Sequence, residues 1–468
     1  MFYGRQEELR FLKDKYHSNQ SEFIILYGRR RIGKTELLKQ FAGEHPHVFY
    51  VGRECTDNEQ LESFTRQIVK GNPSGKYIRF DNWETAFRYI GEMPSDGKKL
   101  IVFDEFPYAV YSNKSIPSVL QLLWDETLKD KNLMLVICGS SMSFIEKELL
   151  SEKAPLYGRT TGTYKVNEVD FSTAGLFLQG MSLKDKVMCY AILGGVPHYL
   201  KQFDSAKSVD ENIKENVLSK GCTLFNEVEF LIKQELRETS KYYSIIESVA
   251  MGNIKLNQIS SKTQIESRAL ATYLGNLMEL GIILREYPVT EGVKRRASSH
   301  SGLYRIKDNF FNFYFRFMFP FNTELEAGNQ ELIYETEIKP YLNQFAGSSF
   351  EMICMQFLRK INLDGKYPFR FTQLGRWWHK DNEIDILGLQ RKKPVMIAEC
   401  KWKNANVGME DYRHLVEKVE KNFAQAKKPF ILMFSKSGFE NSLMDLSTKD
   451  ERLLLIDLHR MQKEWEME

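Results

Sequence analysis

The sequence predicts an α/β fold divided among several domains. The chain has 468 residues, enough for about two to four domains with their own cores. An apolar strand at residues 23–27 leads through a glycine-rich loop into a helix, an order of elements typical of parallel α/β sheets. A second segment, residues 383–402, sets two strands around a basic turn. We therefore expect at least two separate sheets.

Composition is that of a globular protein and limits its partners. Hydrophobic residues make up 43% of the chain, and no stretch approaches the roughly 20 apolar residues needed to cross a bilayer. The first residues lack the apolar core of a signal peptide, so we expect a cytoplasmic protein with no membrane partner. Six cysteines without CxxC spacing favour buried thiols over disulfides or zinc. A net charge of +3 is too balanced to indicate nucleic acid by itself.

A phosphate-binding loop follows the first strand. It fits the pattern GxxxxGKT with Gly28, Gly33, Lys34 and Thr35. Glycines let backbone N–H groups turn towards phosphate oxygens, and the N-terminus of the next helix adds the positive end of its dipole. We expect Lys34 to reach the β- and γ-phosphates of ATP and Thr35 to ligate Mg²⁺.

Two further strands of this domain end in polar side chains. The apolar run 100–103 ends in Asp104 and Glu105, and α/β sheets bind their ligands at strand ends. We expect Asp104 to hold magnesium through water and Glu105 to polarise the attacking water. The strand in "NLMLVICGSS" ends in Ser140 and Ser141. These serines either sense the γ-phosphate, if their strand lies between the other two, or cap the next helix.

Several short motifs together resemble one known family. The segments "FYGRQEEL", the phosphate loop, "FDE", "CGSS", "PLYGR" and "GGVPHYL" are similar in order and spacing to the archaeal-type ATPase family, which also occurs in bacteria. That family belongs to the AAA+/STAND group of P-loop NTPases. The resemblance covers roughly the first 235 residues. It implies an AAA+-like P-loop core at residues 1–165 and a helical lid at 166–238.

The same resemblance implies roles for four residues outside the loop. Gly4, Arg5 and Pro197 would lie near the nucleotide base. Arg159 of "PLYGR" would sense the γ-phosphate. An arginine that caps a helix or pairs on the surface is the alternative for Arg159.

The middle of the chain, residues 239–335, has the pattern of a winged helix. A short helix, a polar turn and a longer helix with Leu270, Leu274 and Leu277 on one face are followed by two strands around a basic loop. The second helix of such a domain can enter a DNA groove, and the wing can touch phosphate. The exposed helix face is not strongly basic, so packing or regulation is an equal alternative. The sequence therefore leaves DNA contact and a packing or regulatory role as equal alternatives for this domain.

The last segment, residues 340–468, places charges on strands that are otherwise apolar. Asp385 lies on one strand, and Glu399 and Lys401 lie on the next. A buried charge cluster is costly unless something compensates for it. Mg²⁺ would compensate, because carboxylates on adjacent strands suit a hard cation while the lysine orients a water.

This arrangement resembles the PD-(D/E)xK nuclease superfamily, which has a restriction-endonuclease-like α/β fold. The resemblance implies that Asp385 and Glu399 ligate magnesium, with the Cys400 carbonyl as a further ligand. Lys401 would stabilise the hydroxide or the phosphorane, and Glu351 on the preceding helix would supplement the site. Isoleucine stands where the motif has proline. The alternative is a salt-bridged sheet edge that no longer cleaves.

These expectations lead to one function and its alternatives. The first is a Mg²⁺-dependent ATPase whose nucleotide state controls a C-terminal nuclease-like domain acting on DNA. The alternatives are an ATP-controlled switch that binds DNA or protein without cutting, and an ATPase whose last domain only binds protein. A flat salt titration of DNA affinity would favour the last.

Overall fold

The structure, a computed structural model, describes residues 2–71, 78–296, 299, 301–423 and 428–466. It divides into two compact units. The first comprises Met1–Val169 and Val196–His198, and the second comprises Asp170–Gly195 and Tyr199–Glu468. The predicted lid, residues 166–238, therefore contributes to both units. The division into four domains, 1–165, 166–238, 239–335 and 340–468, stays a prediction.

The first unit is built on a parallel sheet. Its five strands are β1 (Glu22–Tyr27), β2 (His47–Val51), β3 (Lys99–Asp104), β4 (Leu133–Gly139) and β5 (Gly162–Lys165). They lie in the order β2-β3-β4-β1-β5, and every neighbouring pair is parallel. The helices are α1 (Gln6–Tyr16), α2 (Lys34–Ala42), α3 (Asp57–Gly71), α4 (Trp83–Glu92), α5 (Phe106–Ser112), α6 (Ile116–Glu126) and α7 (Met142–Phe144). The predicted α/β core is confirmed.

Both faces of this sheet are buried, which explains its continuous apolar strands. In β1, Phe23 and Ile25 belong to one hydrophobic cluster, and Ile24 and Leu26 belong to the cluster on the other face. Alternate side chains of a strand point to opposite faces, so both sets must be apolar. The buried faces fix the strands whose carboxyl ends carry the polar residues.

The strand order gathers the predicted nucleotide residues. Strand β4 lies between β1, which leads into the phosphate loop, and β3, which ends at Asp104. All three strands are parallel, so their carboxyl ends meet at one edge of the sheet. The strand that ends in Ser140 therefore lies between the other two, as sensing of the γ-phosphate by Ser140 would require.

The second unit begins with helices and a two-stranded hairpin. These elements are α8 (Phe171–Gly175), α9 (Leu183–Leu193), α10 (Pro197–Leu200), which starts in the first unit, α11 (Val209–Ile213), α12 (Glu227–Glu235), α13 (Thr239–Ala250), α14 (Leu256–Thr263), α15 (Ser267–Glu279), β6 (Ile283–Glu286), α16 (Val293–Arg296) and β7 (Leu303–Ile306). Strands β6 and β7 pair antiparallel. The sequence predicted helices followed by a hairpin in this segment, and its assignment as a winged helix stays a prediction.

The rest of the second unit carries a mixed sheet. Its strands are β8 (Gln373–His379), β9 (Asn382–Gln390), β10 (Lys393–Lys401), β11 (Phe430–Ser435) and β12 (Leu453–Asp457). They lie in sequence order; β8, β9 and β10 form an antiparallel meander, and β10, β11 and β12 are parallel. The helices are α17 (Asn309–Phe313), α18 (Asn322–Glu326), α19 (Gln330–Ile333), α20 (Lys339–Asp364), α21 (Met409–Phe423), α22 (Asn441–Lys449) and α23 (Leu458–Glu466).

Short segments of other helix types adjoin these helices. They are Leu128–Asp130, Ile145–Leu149, Leu176–Leu178, Lys214–Leu218, Tyr314–Met318, Phe319–Phe321 and Tyr334–Ile338. The aromatic segment 309–321 is largely buried, with Phe311 and Phe315 at most 1% exposed, so it is a core segment as expected. Within the described ranges, no helix has both the length and the apolarity that a membrane span requires.

Candidate nucleotide and nuclease-like sites

The phosphate loop has the backbone that its glycines permit. Gly28 and Gly33 have φ of 156° and 89°. A Cβ at Gly28 would overlap the Val166 carbonyl oxygen and lie 2.6 Å from Ile32 Cδ1, so only glycine fits there. The Lys34 ammonium lies inside the loop and donates to the carbonyl oxygens of Gly28 and Arg29 at 2.8 and 2.9 Å.

The two residues of this unit that the sequence predicts to hold magnesium are in direct contact. Thr35 Oγ1 donates a hydrogen bond to Asp104 Oδ2 at 2.6 Å, and Asp104 is only 1% exposed. Burial lowers the pKa of Lys34, and the charges of Glu105 and Asp104 act against that shift. A hydroxyl and a carboxylate beside a buried ammonium fit a nucleotide phosphate with Mg²⁺, which prefers oxygen ligands. The residues therefore suit the expected cofactors.

Glu105 is held by the serine at the end of the neighbouring strand. Its backbone is left-handed, with φ 48° and ψ 43°, an uncommon conformation for a residue other than glycine. Ser140 donates to Glu105 Oε2 from Oγ at 3.0 Å and from the backbone N–H at 3.3 Å. Ser141, at the N-terminus of α7, makes no side-chain capping bond. Ser140 thus fixes the carboxylate expected to orient water.

Arg5 is tied to the loop. It is 8% exposed and donates to the carbonyl oxygens of Ile32 and Asn167 at 2.8 and 2.7 Å. Gly4 precedes it with φ 71°, and Pro197 begins α10 within the first unit. The contacts give Arg5 a part in shaping the loop. Proximity of these three residues to the base stays a prediction.

Arg159 lies in a surface ion pair. Its guanidinium reaches Asp125 Oδ2 at 2.8 Å and donates to the carbonyl oxygens of Pro155 and Tyr157. This geometry is the alternative that the sequence left open for Arg159. Its role as a sensor of the γ-phosphate stays a prediction.

The three charges of the C-terminal sheet lie together. Asp385 on β9 accepts from the Cys400 N–H at 2.8 Å, and Lys401 on β10 pairs with Glu399 Oε1 at 2.7 Å. Glu399 is 6% exposed, and its Oε2 is buried with no hydrogen-bond partner. Burial and the nearby Glu399 charge raise the pKa of Asp385 to about 6. A cation between two crowded carboxylates would relieve this cost, so this pair fits Mg²⁺.

Glu351 has a different partner from the one expected. It lies on α20 and forms an ion pair with Arg376 of β8. Across the part of the chain that the structure describes, no three or more His, Cys, Asp or Glu side chains converge on a possible metal position. The structure therefore supports a pair of candidate ligands, and the roles of Glu351 and the Cys400 carbonyl stay predictions.

Two sets of contacts link parts of the second unit: one joins the hairpin to this sheet, and the other joins the lid segment to α17 and α20. Arg305 of the hairpin pairs with Glu286 at 3.0 Å and with Glu383 at 3.5 Å. Glu383 is two residues before Asp385 on the same strand. In the lid segment, the Tyr190 carbonyl accepts from Asn309 Nδ2 at 2.7 Å, and the Tyr190 hydroxyl accepts from Gln356 Nε2 of α20 at 3.1 Å.

A cleft of about 310 Å³ opens beside the charged pair of β10. We call it the α21 cleft. One wall includes Asn382, Glu399 and Lys401, and the other is formed by α21 with Asp411, His414, Glu417, Lys418 and Lys421. Lys418 Nζ lies 3.7 Å from Glu399 Oε1. Our sequence reasoning missed this helix, although the basic residues at 414, 418 and 421 recur at helical spacing.

Two family descriptions match the chain. Residues 2–203 match an ATPase domain found predominantly in Archaea. Residues 314–420 match a family of archaeal and bacterial proteins of unknown function. The second match spans the strands that carry Asp385, Glu399 and Lys401, and it assigns no activity to them.

Individual proteins are similar over different lengths. An uncharacterised protein of Methanocaldococcus jannaschii is 35% identical over 459 residues, covering 94% of this chain and 100% of that protein. An uncharacterised ATP-binding protein of the same organism is 58% identical over 41 residues, covering 9% of this chain and 70% of that protein. A Walker-type ATPase of Pyrococcus abyssi superposes with a TM-score of 0.52 at 20% identity, covering 67% of this chain and 96% of that one. This last likeness concerns the fold alone.

Proposed function

Because this chain belongs to the archaeal-type ATPase family, we propose that it hydrolyses ATP with Mg²⁺ and that its nucleotide state controls a nuclease-like domain acting on DNA. The observation that carries the first part is the contact of Thr35 with Asp104 next to Lys34 and Glu105. Four side chains that phosphoryl transfer needs, an ammonium, a hydroxyl and two carboxylates, lie at one sheet edge.

Each group has a defined task in the proposed hydrolysis. Lys34 moves from the loop carbonyls to the β- and γ-phosphates and offsets their charge. Thr35 and Asp104 would hold Mg²⁺, which supplies further positive charge to the phosphates. Glu105, fixed by Ser140, orients a water for in-line attack on the γ-phosphorus and accepts its proton, while the bond from the γ-phosphorus to the β,γ-bridging oxygen breaks and ADP leaves.

The second proposed reaction is phosphodiester hydrolysis in the C-terminal sheet. Asp385 and Glu399 would hold Mg²⁺, whose charge assists the formation of hydroxide and the loss of the leaving oxygen. Lys401, 2.7 Å from Glu399, contributes a positive charge to the pentacoordinate phosphorus centre. The unpartnered Oε2 of Glu399 supports this proposal, since a buried carboxylate oxygen without a donor is costly.

The lid segment supports nucleotide control. Residues Val196–His198, with Pro197, belong to the first unit, and the residues on either side belong to the second. In the second unit, Tyr190 of the lid contacts Gln356 of α20, the helix that also carries Glu351. We propose that nucleotide binding acts on the second unit through the chain continuity between the 196–198 segment and α9, whose Tyr190 contacts α20.

A second candidate function is a nucleotide-controlled binding switch that cuts no strand. The ion pair between Lys401 and Glu399 favours it, because a paired lysine beside only two candidate ligands is also what an inactive sheet edge would show. In this function the hairpin or the sheet would hold DNA or protein.

ATP turnover and DNA cleavage, measured on the same preparations, test both parts. We expect Lys34→Ala to abolish ATP hydrolysis. With Mg²⁺ or Mn²⁺, we expect Lys401→Ala to abolish cleavage of supercoiled and linear DNA while ATP hydrolysis persists. The nuclease proposal is wrong if no metal elicits cleavage of either substrate by the intact protein, and the binding switch then takes its place.

A further inference from the structure

We propose that the α21 cleft binds the sugar-phosphate backbone of single-stranded nucleic acid, with Lys418 and Lys421 as its phosphate contacts. The inference deepens the proposed function, on which its link to cleavage rests, because it names the form of the substrate. It begins with the position of the cleft. Glu399 and Lys401, two of the three proposed nuclease residues, form part of its wall.

The size of the cleft selects a single strand. Its volume of about 310 Å³ is at the lower end of the range for small-molecule sites. One nucleotide fills such a volume, whereas a base-paired duplex does not enter it. The contact of 3.7 Å between Lys418 and Glu399 joins the two walls. A strand in this cleft would pass the proposed metal ligands one nucleotide at a time.

The helix wall carries two lysines and a histidine that suit phosphate, together with the carboxylates of Asp411 and Glu417. His414, Lys418 and Lys421 are spaced by four and three residues, so they lie on one face of α21. Asp411, an acidic residue on the same wall, is already paired with Lys403 at 2.8 Å. Lys418 is one-third exposed at the side chain, so its ammonium is accessible to a ligand. Lys418 and Lys421 are the cations that this wall offers to a phosphate, and Lys418 lies beside the proposed metal ligand Glu399.

The chemistry of the lining predicts binding without sequence preference. Among the lining residues that the structure describes, all side chains are charged, imidazole or amide groups, and the His414 imidazole is the one ring on which a base could stack, a contact that every base can make. Contacts to phosphate position a strand but carry no base information. DNA and RNA strands share this chemistry, so both are to be compared.

The test is fluorescence anisotropy of a labelled 12-nucleotide single strand as DNA and as RNA, with its duplex as comparison. The full-length protein is used with Ca²⁺ in place of Mg²⁺ to prevent cleavage, over a range of salt. We expect Lys418→Ala and Lys421→Ala each to weaken single-strand binding about five- to tenfold near 0.1 M salt, and to reduce the salt slope by about 0.7. Arg413→Ala is the matched control, because Arg413 is an exposed cation of α21 outside the cleft lining.

The outcomes separate this inference from the nuclease proposal. The inference is overturned, whatever the cleavage assay gives, if the lysine variants bind the single strand as tightly as Arg413→Ala does. It is also overturned if the protein prefers duplex and the lysine variants weaken duplex binding as much as single-strand binding. If they lose single-strand affinity and salt slope, and no divalent metal elicits cleavage by the intact protein, the inference stands and the nuclease proposal fails. Unchanged thermal unfolding of each variant excludes a folding defect. A preference between DNA and RNA identifies the source of the strand.

Discussion

The bond between Ser140 and Glu105 supports a quantitative prediction for Ser140→Ala. The substitution removes the Oγ–H donor at 3.0 Å from Glu105 Oε2 but keeps the backbone N–H donor at 3.3 Å. A hydrogen bond to a charged group contributes about 1.5–3 kcal/mol, and each 1.36 kcal/mol changes a rate tenfold. If the bond only orients Glu105, we expect kcat for ATP hydrolysis to fall about 10- to 150-fold while ATP affinity is retained.

The assay is steady-state release of phosphate together with equilibrium binding of a fluorescent ATP analogue. Ser141→Ala is the control, since Ser141 is the next residue and makes no capping bond with α7. A loss confined to ATP affinity would show that Ser140 contacts the nucleotide instead of Glu105. A kcat within threefold of the unaltered protein would refute the positioning role.

Three further predictions concern other parts of the two sites. Gly28→Ala is expected to abolish ATP binding and to destabilise the protein by about 2–5 kcal/mol in chemical unfolding, because its Cβ would overlap the Val166 oxygen. The control Gly97→Ala has open space around its Cβ and is expected to be neutral. Equal effects of the two substitutions would contradict this prediction. Asp385 has a pKa of about 6 in the folded protein against an ordinary 3.8, so the folded state holds this proton more tightly than the unfolded state. The free energy of unfolding of the metal-free protein therefore falls as pH rises from about 3.8 to about 6. In thermal unfolding, we therefore expect Asp385→Asn to stabilise the metal-free protein by about 1–3 kcal/mol at pH 7.5 and much less at pH 4. Mg²⁺ should stabilise only the unaltered protein. An effect of Asp385→Asn that does not change with pH would contradict this prediction. If Arg159 acts only in its ion pair with the exposed Asp125, Arg159→Ala is expected to change ATP turnover less than twofold. A tenfold loss would instead support the sensing role.

The parts of the sites that the sequence predicted are those encoded by local pattern. The phosphate loop is a glycine-rich turn between an apolar strand and a helix, and Asp104 and Glu105 directly follow another apolar strand. The α/β core, with its strand, loop and helix, is confirmed. The charged residues of β9 and β10 were predicted in the same way, from alternation along two adjoining strands.

The parts that the sequence did not predict depend on partners far apart in the chain. Ser140 meets Glu105 only because β4 is inserted between β1 and β3. Glu351 pairs with Arg376, 25 residues away on β8, and nothing in the local pattern of α20 indicates that partner. The α21 cleft arises where a helix crosses a sheet. In contrast, the local apolar run "LLLI" directly indicates the strand β12.

The central claim is that nucleotide at the first unit governs cleavage at the second. The most direct measurement is the rate of DNA cleavage by the full-length protein in Mg²⁺, with and without ATP, compared with the rate for Lys34→Ala. The account predicts that ATP changes the cleavage rate of the unaltered protein at least tenfold, that Lys34→Ala no longer responds to ATP, and that Lys401→Ala does not cleave in either condition. Cleavage that depends on Lys401 but is the same with ATP, without ATP and in Lys34→Ala would contradict it.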